Sequence, residues 1–285
     1  MSLPKETNGQ EVASIMQALA DEGMLNADNA DLHWLYEQSV QNVEVEVKFI
    51  DRVFRREFGR SASFIREDFC GTALLCSEWV KRRRSNTALG VDYDGPTLDW
   101  GRINNLAPLA ERASAVTLIQ DDVRKVTSPR AEVLAATNFS WWGFKTRAEL
   151  KEYFTISRQS LQDEGMLLLD IYGGPEAQIP QIEERDVEGF DYLWDQDDFN
   201  PITGDVRCYI HFRFPDGSRM DNAFSYDWRL WSLPETCDLL EECGYRKVVV
   251  YWEGTNNEGE PSGKFNPDRK GDLAPAWVSY IIAFR

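Results

Sequence analysis

Residues 64–75, Phe-Ile-Arg-Glu-Asp-Phe-Cys-Gly-Thr-Ala-Leu-Leu, decide the fold class of this 285-residue chain. They read as the end of a buried strand, a tight turn at Gly71 and the first turn of a helix. A strand handing over to a helix through a glycine turn is the building unit of doubly wound α/β sheets. Its turn is where such sheets hold nucleotide-like cofactors.

Downstream the alternation repeats. A strand over 87–91 leads to a helix over 96–105, with Pro96 suited to its first turn. A third strand, 115–120, precedes Asp121-Asp122. A fourth, 132–138, leads to a helix over 146–161, and the turn Asp163-Glu164-Gly165 feeds an apolar fifth strand, 166–171. Strands alternating with helices imply a mostly parallel sheet with right-handed crossovers and helices on both faces.

After Gly173-Gly174-Pro175 the character changes. Residues 190–231 hold β-rich runs at 192–194, 206–214 and 223–230, broken by turn signals at 200–204 and 215–217. We read them as an antiparallel β insertion after the fifth strand. A helix over 233–243 stopped by Gly244, a strand over 247–252, a Gly/Asn/Pro/Glu-rich loop over 254–275 and a final strand over 277–284 complete the order. Upstream, Leu32, Leu35, Tyr36 and Val40, then Val43, Val47, Ile50 and Phe54, form a helical stripe with Asp31 as its cap. The expected organisation is a mobile arm over 1–30 and one domain over 31–285. Within that domain, 31–60 is a helical lid and 190–231 lies on the substrate side.

Composition narrows the function. A formal net charge of −17 repels phosphate backbones and anionic membrane surfaces, so neither a nucleic acid nor a membrane is expected as partner. The basic run Lys81-Arg82-Arg83-Arg84 falls at a helix end, where cations suit the dipole. Five cysteines without a Cys-x-x-Cys pair and two histidines fit reduced thiols in a cytoplasmic protein without a metal site.

The stretch Glu67-Asp68-Phe69-Cys70-Gly71-Thr72-Ala73 resembles the first motif of the class I, seven-stranded, Rossmann-like S-adenosylmethionine (SAM)-dependent methyltransferases: an acid followed by Gly-x-Gly-x-Gly. Phe69 and Ala73 stand where the first and third glycines would be. Leu89-Gly90-Val91-Asp92-Tyr93-Asp94 resembles the second motif, whose carboxylate chelates the ribose hydroxyls. Asp92 is the first choice and Asp94 the second. The resemblance implies the fold, SAM as cofactor, S-adenosylhomocysteine as product, and a set of contacts. Glu67 would serve the methionine ammonium, and Phe69, Cys70, Gly71, Thr72 and Ala73 would line the loop. Asp92 with Tyr93 would take the ribose, and Asp122 with Val123 the adenine. Asn138 and Phe139 would stand at the methyl end, with Tyr36 closing from the lid. Phe69 and Ala73 are expected to crowd the methionine end, so changing either to glycine should keep or improve SAM binding.

The expected activity is methyl transfer to an N or O atom of a small molecule, with no catalytic residue assigned. Displacement at a sulfonium has a good leaving group, so positioning carries much of the catalysis, and a base is needed only if the acceptor must lose a proton. Trp141, Trp142 and Tyr172 are candidate substrate residues because ring faces favour a cationic nitrogen, and Arg229 because it could hold a carboxylate. Two other readings stay open. One is a non-catalytic SAM-binding or interaction module on the same fold. The other is an NAD-dependent oxidoreductase, which wants the Gly-x-Gly-x-x-Gly that this loop lacks.

Overall fold

A computed structural model describes residues 9–256 and 261–285. In chain order its main elements are α1 (Gly9–Asp21), α2 (Leu32–Val40), α3 (Val43–Phe58), β1 (Phe64–Asp68), α4 (Leu74–Arg82), β2 (Thr87–Asp92), α5 (Gly95–Gly101), β3 (Val116–Gln120), β4 (Ala131–Ala136), α6 (Arg147–Gln159) and β5 (Leu161–Gly173). Then follow β6 (Gln181–Val187), β7 (Phe190–Phe199), β8 (Asp205–Arg213), β9 (Arg219–Arg229), α7 (Leu233–Glu242), β10 (Lys247–Thr255), β11 (Pro261–Pro267) and β12 (Trp277–Phe284).

The main sheet runs β11-β10-β12-β5-β4-β1-β2-β3. Strands β1 to β5 are mutually parallel, and β12, β10 and β11 are added antiparallel. The seven expected strands are all present, with an eighth, β11, at the edge. It arises from the segment expected as a loop over 254–275, part of which (257–260) lies outside the described residues. Its Phe265 packs on Phe49 and Tyr280, which gives a hydrophilic-looking stretch an apolar reason to pair.

The strand period of two separates the core into layers. Val133, Ala135, Met166 and Leu168 face α3 and α4, whereas Leu134, Ala136, Leu167 and Leu169 face α6 and α7. Helix α6 begins at a capping box, in which Thr146 and Glu149 satisfy each other's backbone N–H groups.

Two expectations need correction. The insertion begins at Gln181, earlier than 190, and forms its own four-stranded antiparallel sheet, β6-β7-β8-β9. The segment expected as a mobile arm is instead helical from Gly9 and packs from Val12 onward, while residues 1–8 lie outside the described residues. Val12, Met16, Ala20 and Leu25 are buried with Trp34 and Leu35 against Phe190, Ile210, Phe212 and Phe214 of the insertion. Polar composition suggests an exposed arm, but Val12, Met16, Ala20 and Leu25 share one apolar cluster with the insertion.

Candidate functional site

A cavity of about 640 Å3 opens at the C-terminal ends of β1, β2, β3 and β4. Each strand contributes through the turn that follows it. After β1, Phe69, Gly71 and Ala73 have φ of 57°, 51° and 58°. These are the three positions at which the resembled motif carries glycine, so the loop keeps the left-handed backbone with two side chains that resist it. Cys70 N–H holds the loop to Val91 O at 3.1 Å.

Asp92 binds that loop from the next strand. Its carboxylate accepts from the Gly71 N–H at 2.8 Å and the Asp94 N–H at 2.9 Å. Burial raises its pKa, while these amides pull it back. Asp94 caps α5 by accepting from the Thr97 N–H, and both carboxylates line the cavity. After β3, Asp122 is engaged by the Arg124 guanidinium, which holds its carboxyl below the ordinary range. Among the described residues, the Val123 N–H has no acceptor.

A buried cation positions this third turn. The Arg66 side chain, fully buried in β1, pairs with Asp68 at 2.6 Å and donates to the carbonyls of Val123, at 2.7 Å, and Val126. Tyr153 completes the group by donating to Asp68 at 3.1 Å.

After β4, Asn138 and Phe139 have φ of 57° and 56°. Asp170, buried on β5, accepts from both of their N–H groups, at 2.6 and 3.0 Å, and burial pushes its pKa up to about 8. Among the described residues, four of the six non-glycine residues with positive φ therefore sit in the two turns beside one cavity. Such strain persists where surroundings over-determine it and clusters at functional sites.

The lid side is tied down by Glu37, which accepts from Thr72 Oγ1 at 2.5 Å and Asn105 Nδ2 at 2.7 Å; burial lifts its pKa to about 6. Gln41, at the end of α2, lines the cavity with a buried Oε1 that has no hydrogen-bond partner. The opposite wall is β9, whose Phe224, Tyr226 and Trp228 alternate onto the cavity. Tyr36 packs on Phe224 at 4.8 Å, and Tyr226 on Trp228 at 4.2 Å.

Among the described residues the cavity wall holds five aspartates (Asp92, Asp94, Asp121, Asp122, Asp227) and no lysine or arginine, although Lys125, Arg124 and Lys145 just outside it pair with Asp121, Asp122 and Asp227. His33 also lines it, and burial lowers the pKa of its imidazole.

Of the residues singled out from sequence, Tyr36, Phe69, Cys70, Gly71, Thr72, Asp92, Tyr93, Asp122, Val123 and Asn138 meet around this cavity. Others do not. Glu67 is buried, accepts from the Cys76 N–H at 3.1 Å and is pushed up to about 8 by burial, so it braces α4 and does not reach the wall. Ala73 is fully buried at the start of α4 and does not line the cavity. Phe139 turns into an aromatic layer, 4.8 Å from Tyr172. Trp141 and Trp142 are core residues, with Trp141 Nε1 donating to Asp170 O. Tyr172 lines a different cavity. Arg229 stacks on Trp231 at 3.9 Å and donates to Glu235 and Lys145 O.

Glu37, Gln41, Arg66, Asp170 and the β9 aromatics were not singled out as site residues. Only the aromatics carry a sequence signal, Phe-x-Tyr-x-Trp at period two.

No protein-family model and no curated protein matches the sequence. Solved structures do match in shape. A SAM-dependent methyltransferase from Clostridium acetobutylicum superposes with a TM-score of 0.62 at 14% identity, covering 88% of this chain and 96% of that one. The class I methyltransferase fold is therefore shown. The SAM-bound amino pentose methyltransferase CalS10 from Micromonospora echinaspora gives 0.62 at 13% identity, covering 89% and 95%. The sugar N-methyltransferase KedS8 from Streptoalloteichus gives 0.58 at 16%, covering 92% and 94%. In this methyltransferase fold, β11 is the addition to the seven-stranded pattern, and β6–β9 with α1 and α2 make the roof. Among the described residues, no helix is long and apolar enough to cross a membrane, and no group of three or more His, Cys, Asp or Glu is arranged to hold a metal ion.

Proposed function

We propose that the protein is a SAM-dependent methyltransferase acting on an N or O atom of a small molecule, most readily an amine. The observation that carries this reading is the sign of the cavity wall. Asp121, Asp122 and Asp227 are paired with Lys125, Arg124 and Lys145, but Asp92 and Asp94 have no cationic partner among the described residues, and no lysine or arginine lines the wall, so a sulfonium with an α-ammonium suits it better than a pyrophosphate. The fold neighbours include proteins described as amino pentose and sugar N-methyltransferases, which supports the amine reading.

The polar groups on the wall fit SAM. Asp92 offers carboxylate oxygens for a ribose diol, in charge-assisted bonds stronger than neutral ones. The Val123 amide and the Asp122 carboxylate offer a donor and an acceptor to adenine. Gln41 Oε1, buried and unpartnered, offers an acceptor to the ammonium. When bound, SAM supplies an electrophilic methyl group and a neutral thioether leaving group. The chain's own part is to orient and desolvate. The left-handed turns at 69–73 and 138–139 fix the floor, and Phe224, Tyr226 and Trp228 exclude water and offer ring faces to an acceptor amine.

Calorimetry tests the reading. S-adenosylhomocysteine should bind with micromolar affinity, and NAD should give no heat. A folded protein that binds NAD and not S-adenosylhomocysteine would overturn it. Turnover should then appear with amine-bearing acceptors, amino sugars first, and not with carboxylates.

A further inference from the structure

A second cavity, of about 570 Å3, lies over the antiparallel half of the sheet and shares no lining residue with the first. It is bounded by Tyr172 at the end of β5, Trp277 at the start of β12, Trp252 in β10, Phe199 at the end of β7 and Trp231 before α7. The wall toward the acidic cavity is aromatic. Tyr172 packs on Phe139 at 4.8 Å and Trp142 at 4.6 Å, and Trp142 packs on Trp228, which lines the acidic side.

The indoles are held in place. Trp252 and Trp277 form a pair with centroids 4.9 Å apart. A Cβ at Gly173 would come within 2.4 Å of the Trp277 ring, and Gly271 lies across the face of Trp252. Rigid ring faces around a volume of this size suit a small ligand with a flat apolar body.

The rim supplies the sign. Loop 268–271 borders the cavity with Asp268, Arg269 and Lys270. The Asp268 carboxylate is already used by its own turn, accepting from the Lys270 and Arg269 N–H groups at 2.9 and 2.6 Å. Among the described residues no ion pair joins the Arg269 or Lys270 side chain to a carboxylate, though the amides of the turn and the Lys270 charge hold the Asp268 carboxyl below its ordinary range, so two cations face one carboxylate. The rim is thus cationic in a chain whose net charge is −17.

We propose that this cavity is a second small-molecule site, independent of the acidic one, whose ligand is an aromatic anion: a flat ring system bearing a carboxylate or sulfonate. The rings hold the body, and Arg269 and Lys270 hold the anionic group at the mouth. The proposal does not rest on the methyltransferase reading, because none of its residues belongs to the acidic wall.

The test is calorimetric titration of the full chain with 1-naphthoate and, as charge control, 1-naphthylmethylammonium. The anion should bind about tenfold more tightly than the cation, and the double variant Arg269→Gln, Lys270→Gln should remove that preference. In the unsubstituted chain, indole N–H resonances of Trp252 and Trp277 should shift on adding 1-naphthoate. Saturating S-adenosylhomocysteine should leave the naphthoate affinity unchanged. Absence of naphthoate binding, equal affinity for both probes, a preference that survives the double variant, or displacement by S-adenosylhomocysteine would each overturn the proposal. Both substitutions are on exposed side chains, so the variant keeps its fold and the result stays readable.

Discussion

The acidic cavity is framed by turns that leave four parallel strands, and the second by the ends of β5, β10 and β12, where the strands run antiparallel. Parallel strands bring all their C-terminal ends to one edge, and each end starts a turn with free amide donors. Carboxylates gather there because they satisfy those donors: Asp92 takes the N–H groups of Gly71 and Asp94, and Asp170 those of Asn138 and Phe139. At the antiparallel end Trp252 and Trp277 line the cavity, and the Asp268 carboxylate takes the amides of its own turn at the rim. The two ends of one sheet thus present walls of different chemistry.

The largest expected effect breaks the acidic side alone. Arg66→Met leaves Asp68 buried without its cation and frees the turn at 121–126, so unfolding free energy should fall by about 3–5 kcal/mol in chemical denaturation. Next, Asp92→Ala should weaken S-adenosylhomocysteine binding about a hundredfold by calorimetry and leave 1-naphthoate binding unchanged. If both ligands weaken together, the two cavities are not independent.

Acidity sharpens the contrast, because carboxyls pushed up by burial lie near the parallel ends. Glu37, Glu67 and Asp170 titrate at about 6, 8 and 8 in the folded chain and near 4 when unfolded. Between those values the folded state binds more protons than the unfolded one, so stability falls as pH rises. The thermal midpoint should drop by several degrees from pH 5.5 to 8.5. A midpoint that rises over this range would mean these groups are ionised in the fold.

The smallest effects separate the two positions, 69 and 73, where the resembled motif carries glycine. Ala73→Gly relieves a left-handed alanine but loses a buried methyl and adds unfolded-state entropy, so stability should move by less than about 1 kcal/mol and cofactor affinity should hold. Phe69→Gly also loses ring packing on Phe144 and Tyr153 and should cost about 2 kcal/mol or more.

The strand-turn-helix rhythm made the parallel half readable, since each apolar run ends at a turn former. It also placed Asp92 and the loop at 69–73, because those residues follow strands directly. What stayed hidden depends on chain segments far apart in sequence. Asp170 looks like one acid in an apolar run until β5 brings it beneath the turn after β4. Arg66 reads as a strand polar residue until three acceptors converge on it. Trp142 reads as a candidate substrate residue and is core, because the insertion that covers it begins nearly forty residues later. Strand β11 was hidden by its glycine and proline content.

The packing of α1 on the insertion has a consequence for how the chain is made. Met16 leaves the ribosome long before Phe190, Ile210 and Phe214, the residues that cover it. At roughly 5–20 residues per second, the wait is on the order of ten seconds or more. Through that interval the amphipathic first helix is an unpaired apolar surface on a nascent chain, so slow translation or a chaperone shortage should show first as aggregation through this helix.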